Sequence, residues 1–205
     1  MTLEIRNLVC GPLENNVYVV SDGAASIVVD APLESVGPVT ALLGEHGLQL
    51  SAIVCTHGHF DHMAEAAELA RQTRAPVFVH AQDGERLRKP ARPLFMPDLE
   101  VEPVEVAREL NEGDTIEIGD VTLTVLHTPG HTPGSMCLLA DGVLLSGDTL
   151  FAGSFGRYDL PGGDPAVLKQ SLLRLAQLPK ETRVLPGHGA ETTIARERWL
   201  TNPPL

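Results

Sequence analysis

Short apolar runs broken by glycine and turn residues fill the first 31 positions. "LEIRNLV", "NVYVVS" and "SIVVDA" read as three strands, with "SDGAAS" a hairpin turn between the second and third. The period then lengthens: "SVGPVTALLGEH" predicts a helix over residues 35–46, and Gly47 is placed to stop it. "LSAIVCT" follows as a buried strand, "HMAEAAELARQT" as one alanine-rich helix of strong helix formers, and "APVFVH" as a further strand. The three prolines of "RKPARPLFMPDLE", residues 88–100, predict an irregular excursion over the surface.

The second half opens with strands, "TIEIG", "VTLTVLH", "SMCLLA" and "GVLLSG". A loop, "SFGRYDLPGG", leads into "AVLKQSLLRLAQL", a helix marked by Asp164 at the N-cap and Pro165 at its first position. "TRVLP" reads as the last strand and "ETTIARERWL" as a short closing helix. Each half runs loosely from strands to helix. The expectation is a mixed α/β fold in a single domain over residues 1–205.

Composition narrows the partners. The chain has 205 residues, 43% hydrophobic and 20% charged, a net charge of −12 and a pI near 5.0. That balance, without a Lys/Arg cluster, argues against tracking a nucleic-acid backbone. Glu4 and Arg6 stand where a secretory signal needs apolar residues, and no run of about 18 apolar residues predicts a membrane span. The three cysteines, Cys10, Cys55 and Cys137, are odd in number and far apart, which suits a reducing compartment. A cytoplasmic protein with no membrane and no nucleic-acid partner is expected; the oligomeric state stays open.

The chemistry concentrates in "THGHFDH", which supplies His57, His59, Asp61 and His62. His131 in "HTPGHTPGS", Asp148 in "LLSGDTLF" and His188 in "VLPGHGAE" follow later. Each of these four segments comes directly after an apolar strand, where α/β sheets place their sites. Asp61 on its own could be a helix N-cap, and Asp148 a turn residue. A lone His131 or His188 is more often a satisfied structural histidine than a ligand. Together, five imidazoles and two carboxylates exceed what one tetrahedral ion holds and fit two metals. Glycine before His131 and before His188 lets backbone come close to such a site. His46, His80 and His127 are assigned to surface or supporting roles.

"THGHFDH" has the H-x-H-x-D-H pattern of the metallo-β-lactamase superfamily, and "TPGHTPGS", "SGDTLF" and "LPGHG" match its later motifs in order. The resemblance covers essentially the whole chain and implies a four-layer αβ/βα sandwich with metals at one edge, between two β-sheets. It assigns His57, His59 and His131 to a first metal, Asp61, His62 and His188 to a second, and Asp148 to both. A bridging aspartate, "GRYDLPGGD" and the ending "GHGAETTIARERWLTNPPL" resemble short glyoxalase II-type hydrolases more than true β-lactamases. Such a protein is expected to lack the C-terminal helical domain of fuller glyoxalase II enzymes.

The resemblance therefore implies a hydrolase that cleaves a small-molecule thioester of the S-lactoylglutathione type with a metal-bridging hydroxide. The cofactors are two divalent ions, zinc first, with iron or manganese compatible with the same donors. Asp61 and Asp148 would orient the nucleophile. Arg157 matches a family lysine that contacts glutathione, whereas the tyrosine expected two places later is Asp159; Tyr158 lies beside it, and both Arg157 and Tyr158 are candidate substrate contacts. The rival is a mononuclear-iron persulfide dioxygenase of the same superfamily, with His57, His131 and Asp148 as its facial triad. A non-enzymatic structural zinc site is disfavoured because such sites are closed and usually cysteine-rich.

Overall fold

The computed structural model describes residues 3–93 and 96–205. Strands β1 (Glu4–Cys10), β2 (Asn15–Ser21) and β3 (Ala25–Val29) form an antiparallel meander. Asp22 Oδ1 closes its second turn by accepting from the amides of Ala24 and Ala25. Helix α1 (Val36–His46) ends on Gly47 as expected. It delivers the chain to β4 (Gln49–Cys55), which pairs parallel with β3; β5 (Val77–His80) and β6 (Val106–Leu110) continue the parallel half of this sheet. The second sheet holds β7 (Thr115–Ile118), β8 (Val121–His127), β9 (Met136–Ala140), β10 (Val143–Gly147), β13 (Arg183–Pro186) and β14 (Thr192–Thr193). A small hairpin, β11 (Leu150–Phe151) and β12 (Ser154–Phe155), separates β10 from helix α5 (Pro165–Leu175).

Side chains alternate across a strand, so a strand buried on both faces serves two cores. Val17, Val19, Ile53, Cys55, Val77 and Val79 pack with Val39 and Leu43 of α1 on the outer face of the first sheet. Their neighbours Tyr18, Val20, Ala52 and Val54 point the other way and meet Leu123, Val125, Met136, Leu138 and Leu145 of the second sheet. Beyond that sheet, Cys137, Leu144 and Val184 pack on Leu168, Leu172 and Leu175 of α5. Three cores between four layers make the αβ/βα sandwich.

Several local expectations change. The alanine-rich segment is two helices, α2 (Phe60–Met63) and α3 (Ala66–Thr73), rather than one. Glu65 sits at the break, where its carboxylate accepts from the amides of Glu34, Ser35 and Val36 and its own amide donates to Ala31. Those bonds pull the chain off the helical path and fasten the α2–α3 corner to the β3–α1 loop. The closing "ETTIARERWL" is not a helix. Thr192 and Thr193 pair with β13, and only Arg198–Thr201 form a 3₁₀ turn. Buried Glu197 accepts from Thr192 Oγ1, the Gly153 amide and Trp199 Nε1, which favours a compact turn over a helix. Helix α4 (Gly84–Arg88) and β6 were not expected from the sequence. Among the described residues of the excursion over 88–100 there is no strand, and its helical part ends at Arg88; Leu94 and Phe95 lie outside the described residues.

Candidate metal centre

All seven expected donors converge. β4 delivers the 57–62 turn from one sheet, while β8, β10 and β13 deliver His131, Asp148 and His188 from the other. His57 Nε2, His59 Nδ1 and His131 Nε2 face one another at separations of 3.1, 2.8 and 3.1 Å. Asp61 Oδ2 stands 3.3 Å from His188 Nε2 and 3.6 Å from His62 Nε2. Between these groups lies Asp148, 3.4 Å from His62, 3.6 Å from His131 and 3.7 Å from His188. Gly187 is needed here, since a Cβ would come within 2.5 Å of Asp148 Oδ1 and 2.7 Å of His62 Cε1.

Four of the imidazoles are oriented from behind. His62 Nδ1 donates to Asp30 Oδ2 at 2.7 Å, His131 Nδ1 to the Arg157 carbonyl at 2.6 Å, and His188 Nδ1 to the Leu13 carbonyl at 3.0 Å. His57 Nδ1 donates to Thr56 Oγ1, whose hydroxyl in turn donates a hydrogen bond to Asp30 Oδ2. In the neutral ring, a proton held on the far nitrogen leaves the near one with a lone pair aimed into the centre. Asp61 does not cap a helix: α2 has His59 at its cap position, and the Asp61 carboxylate accepts from Asn15 Nδ2 at 3.2 Å.

The electrostatics divide the centre. Burial, reinforced by neighbouring imidazoles, pushes His57 well below the ordinary imidazole range. Burial and then His131 push His59 down to about 3, and burial outweighs Asp148 to lower His131. On the other side burial opposes the charge on His62, yet Asp148, Asp30 and Asp61 together raise its pKa well above the usual value. Burial likewise opposes charge on His188, but the hydrogen bond to Asp61 and the field of Asp148 raise it. Asp61 and Asp148 stay ionised, because their imidazole neighbours overcome the cost of burial.

The donor set fits cations. Three neutral imidazoles with lone pairs converging at about 3 Å repel unless a positive charge lies between them. Asp148 Oδ1 is buried and is the one such side-chain atom among the described residues with no hydrogen-bond partner. A buried carboxylate oxygen without a hydrogen-bond donor is costly; this one lies on the His62 side, and the Oδ2 of the same carboxylate faces His131 and His188. The clusters His57/His59/His131, His57/His62/Asp148 and Asp61/His62/His188 each bring three donor atoms within 4.8 Å of one another.

The candidate substrate contacts are placed differently. Arg157 reaches the centre through its backbone carbonyl, while its guanidinium forms two 2.8 Å bonds with Asp159. Tyr158 is 38% exposed. His46 is exposed, and His80 is buried and stacks on His127 with ring centroids 3.9 Å apart. Sequence reasoning missed Asp30, Asn15 and Asp83. Asp30 carried a usable signal, since "SIVVDA" places a carboxylate directly after a buried strand, as "GVLLSGD" does. Asn15 and Asp83 sit in turn-like contexts that carry none.

Two back-to-back sheets between helices, with histidine and aspartate donors gathered at the strand ends, define a metal-binding sandwich of the metallo-hydrolase class. The chain belongs to the metallo-beta-lactamase superfamily, whose model matches residues 10–188. It is 39% identical to an uncharacterized protein of Mycobacterium leprae, over 95% of each chain. It is 37% identical to a hydroxyacylglutathione hydrolase of Cereibacter sphaeroides over 97% of this chain and 71% of that one. Among solved structures it is similar to TTHA1623 in a di-iron-bound form (TM-score 0.86, 39% identity, covering 98% of this chain and 100% of that one). A second is ETHE1 from Myxococcus xanthus (TM-score 0.79, 29% identity, 95% and 81%). No helix of the described residues is long and apolar enough to cross a membrane.

Proposed function

We propose that this protein is a two-metal hydrolase that cleaves small-molecule thioesters, with His57, His59 and His131 holding one ion, Asp61, His62 and His188 the other, and Asp148 serving both. The observation that carries this reading is the Asp148 carboxylate, whose Oδ1 has no hydrogen-bond partner and lies 3.4 Å from His62 Nε2 while its Oδ2 lies 3.6 Å from His131 Nε2. When bound, a pair of divalent ions supplies a water whose pKa falls from about 15.7 towards 7 and polarises the scissile carbonyl. Asp61 and Asp148, kept ionised, accept hydrogen bonds from the attacking water and fix its approach. Water adds its oxygen to the acyl carbon, the carbon–sulfur bond breaks, and the thiol leaves with the second proton. Arg157, whose carbonyl accepts from His131 Nδ1, and the adjoining Tyr158 are the residues assigned to the departing thiol portion. The similarity to a hydroxyacylglutathione hydrolase supports S-lactoylglutathione as the first substrate to test.

A second reading has its own support. His57, His131 and Asp148 alone make the two-histidine, one-carboxylate set of mononuclear iron oxygenases, and the fold is similar to ETHE1. Assay of the purified protein for thiol release from S-lactoylglutathione and uncharged thioesters, alongside oxygen uptake on glutathione persulfide, separates the two. Thiol release abolished by a chelator is the expected result. Oxygen uptake with one iron per chain and no thiol release would overturn it.

A further inference from the structure

Three glycines around the first donor group are cleared for the same two side chains. A Cβ at Gly58, between His57 and His59, would stand 2.6 Å from Cβ and 2.9 Å from Cδ of Arg86. One at Gly134, in the loop after His131, would stand 2.6–2.7 Å from the Asp83 backbone nitrogen, Cβ and Cγ. One at Gly162, in the loop carrying Arg157 and Tyr158, would stand 2.4 Å from Arg86 Nη2. Contacts fill the cleared space. Asp83 Oδ2 accepts from the Gly58 amide and from Thr132 Oγ1, both at 2.7 Å, and Oδ1 accepts from the Gly134 amide at 3.0 Å. Arg86 Nε lies 3.4 Å from Asp83 Oδ1, and its Nη2 donates to the Pro161 carbonyl at 2.6 Å.

We propose that Asp83 and Arg86 are positioning residues that hold the 57–59 turn, the 131–134 loop and the 157–163 loop as one unit around the first metal position. His59 and His131 arrive from different sheets, so their near nitrogens can stay 2.8 Å apart only if the two loops are tied together. Asp83 makes that tie with a carboxylate that is 0% exposed, and charge-assisted bonds of this kind are short and strong. Arg86 lays its stem over Gly58 and carries the tie outward to the third loop. The first half of the inference rests on His57, His59 and His131 being metal-binding; the second half does not.

The test uses Zn²⁺ alone in chelator competition. Asp83→Asn, in a His188→Ala background that isolates the first position, weakens Zn²⁺ binding by about 10- to 100-fold. In a His59→Ala background the same change leaves the remaining affinity alone. Equal affinity in the first background, with only a lower Tm, overturns the positioning role. Should Asp83→Asn fail to fold, Thr132→Val removes one of its donors and carries the same expectation in weaker form. Arg86→Met keeps the stem and removes the head, so amide exchange across residues 158–163 quickens by about tenfold. Unchanged exchange there overturns Arg86's part. No Zn²⁺ binding by the His188→Ala parent counts instead against the proposed metal position, and the exchange measurement still decides on Arg86.

Discussion

The two halves of the centre are built from similar residues and behave oppositely. Around His57, His59 and His131, dry surroundings and crowded imidazoles drive protons off, so a cation meets free lone pairs. Around His62 and His188, three carboxylates, Asp30, Asp61 and Asp148, hold protons on. A cation must displace those protons to enter. On the proposed reading, one fold holds two positions of unequal character: neutral donors define one, and a charge-compensated network defines the other.

Removing Asp148 breaks the comparison outright, because it serves both sides. Asp148→Ala is expected to strip metal from both positions and lower thioester turnover by about three orders of magnitude or more, read by metal analysis and initial rates. Asp30 comes next. It bonds His62 directly and His57 through Thr56, so Asp30→Asn should weaken metal affinity about 10- to 100-fold with the ligand set intact. Calorimetric titration with Zn²⁺ checks it, and equal loss at both positions distinguishes Asp30 from Asp83.

Acidity sharpens the contrast. Protons compete for donors whose pKa is raised, so affinity at Asp61/His62/His188 should climb as pH rises through neutrality. The first position, with His59 at about 3, should lose affinity only in strongly acidic solution. Zn²⁺ titrations of the His59→Ala and His188→Ala variants across pH separate the two slopes. The smallest effect is a control far from the proposed metal positions. Asp164 Oδ1 accepts from the amides of Ala166 and Val167 at the start of α5, so Asp164→Ala should cost about 1 kcal/mol of stability and leave metal affinity unchanged.

The same contrast explains what the sequence made legible. The convergence of the seven side chains could be read because their segments each follow a buried strand and four of them share one turn, a spacing with no use in a core. The sandwich could be read because strands such as β2 and β10 are apolar on both faces. What escaped depends on contacts between distant segments. Nothing local marks Glu65 as the breaker of a helix, or Glu197 as the gatherer of three donors that turn "ETTIARERWL" back on itself. β6 escaped for a different reason: "VAREL" lies at the sheet edge with three exposed positions, and its polarity hides it. Asp83 escaped because its partners lie 25 to 51 residues away, in loops that meet only after both sheets have formed.

Anomalous scattering at the metal absorption edges, from crystals of the protein as isolated, bears most directly on the central claim. Two peaks, one among His57, His59 and His131 and one among Asp61, His62 and His188, with Asp148 reaching both, are expected. A single peak beside His57 and His131, persisting after soaking in excess Zn²⁺, would contradict a shared two-metal centre.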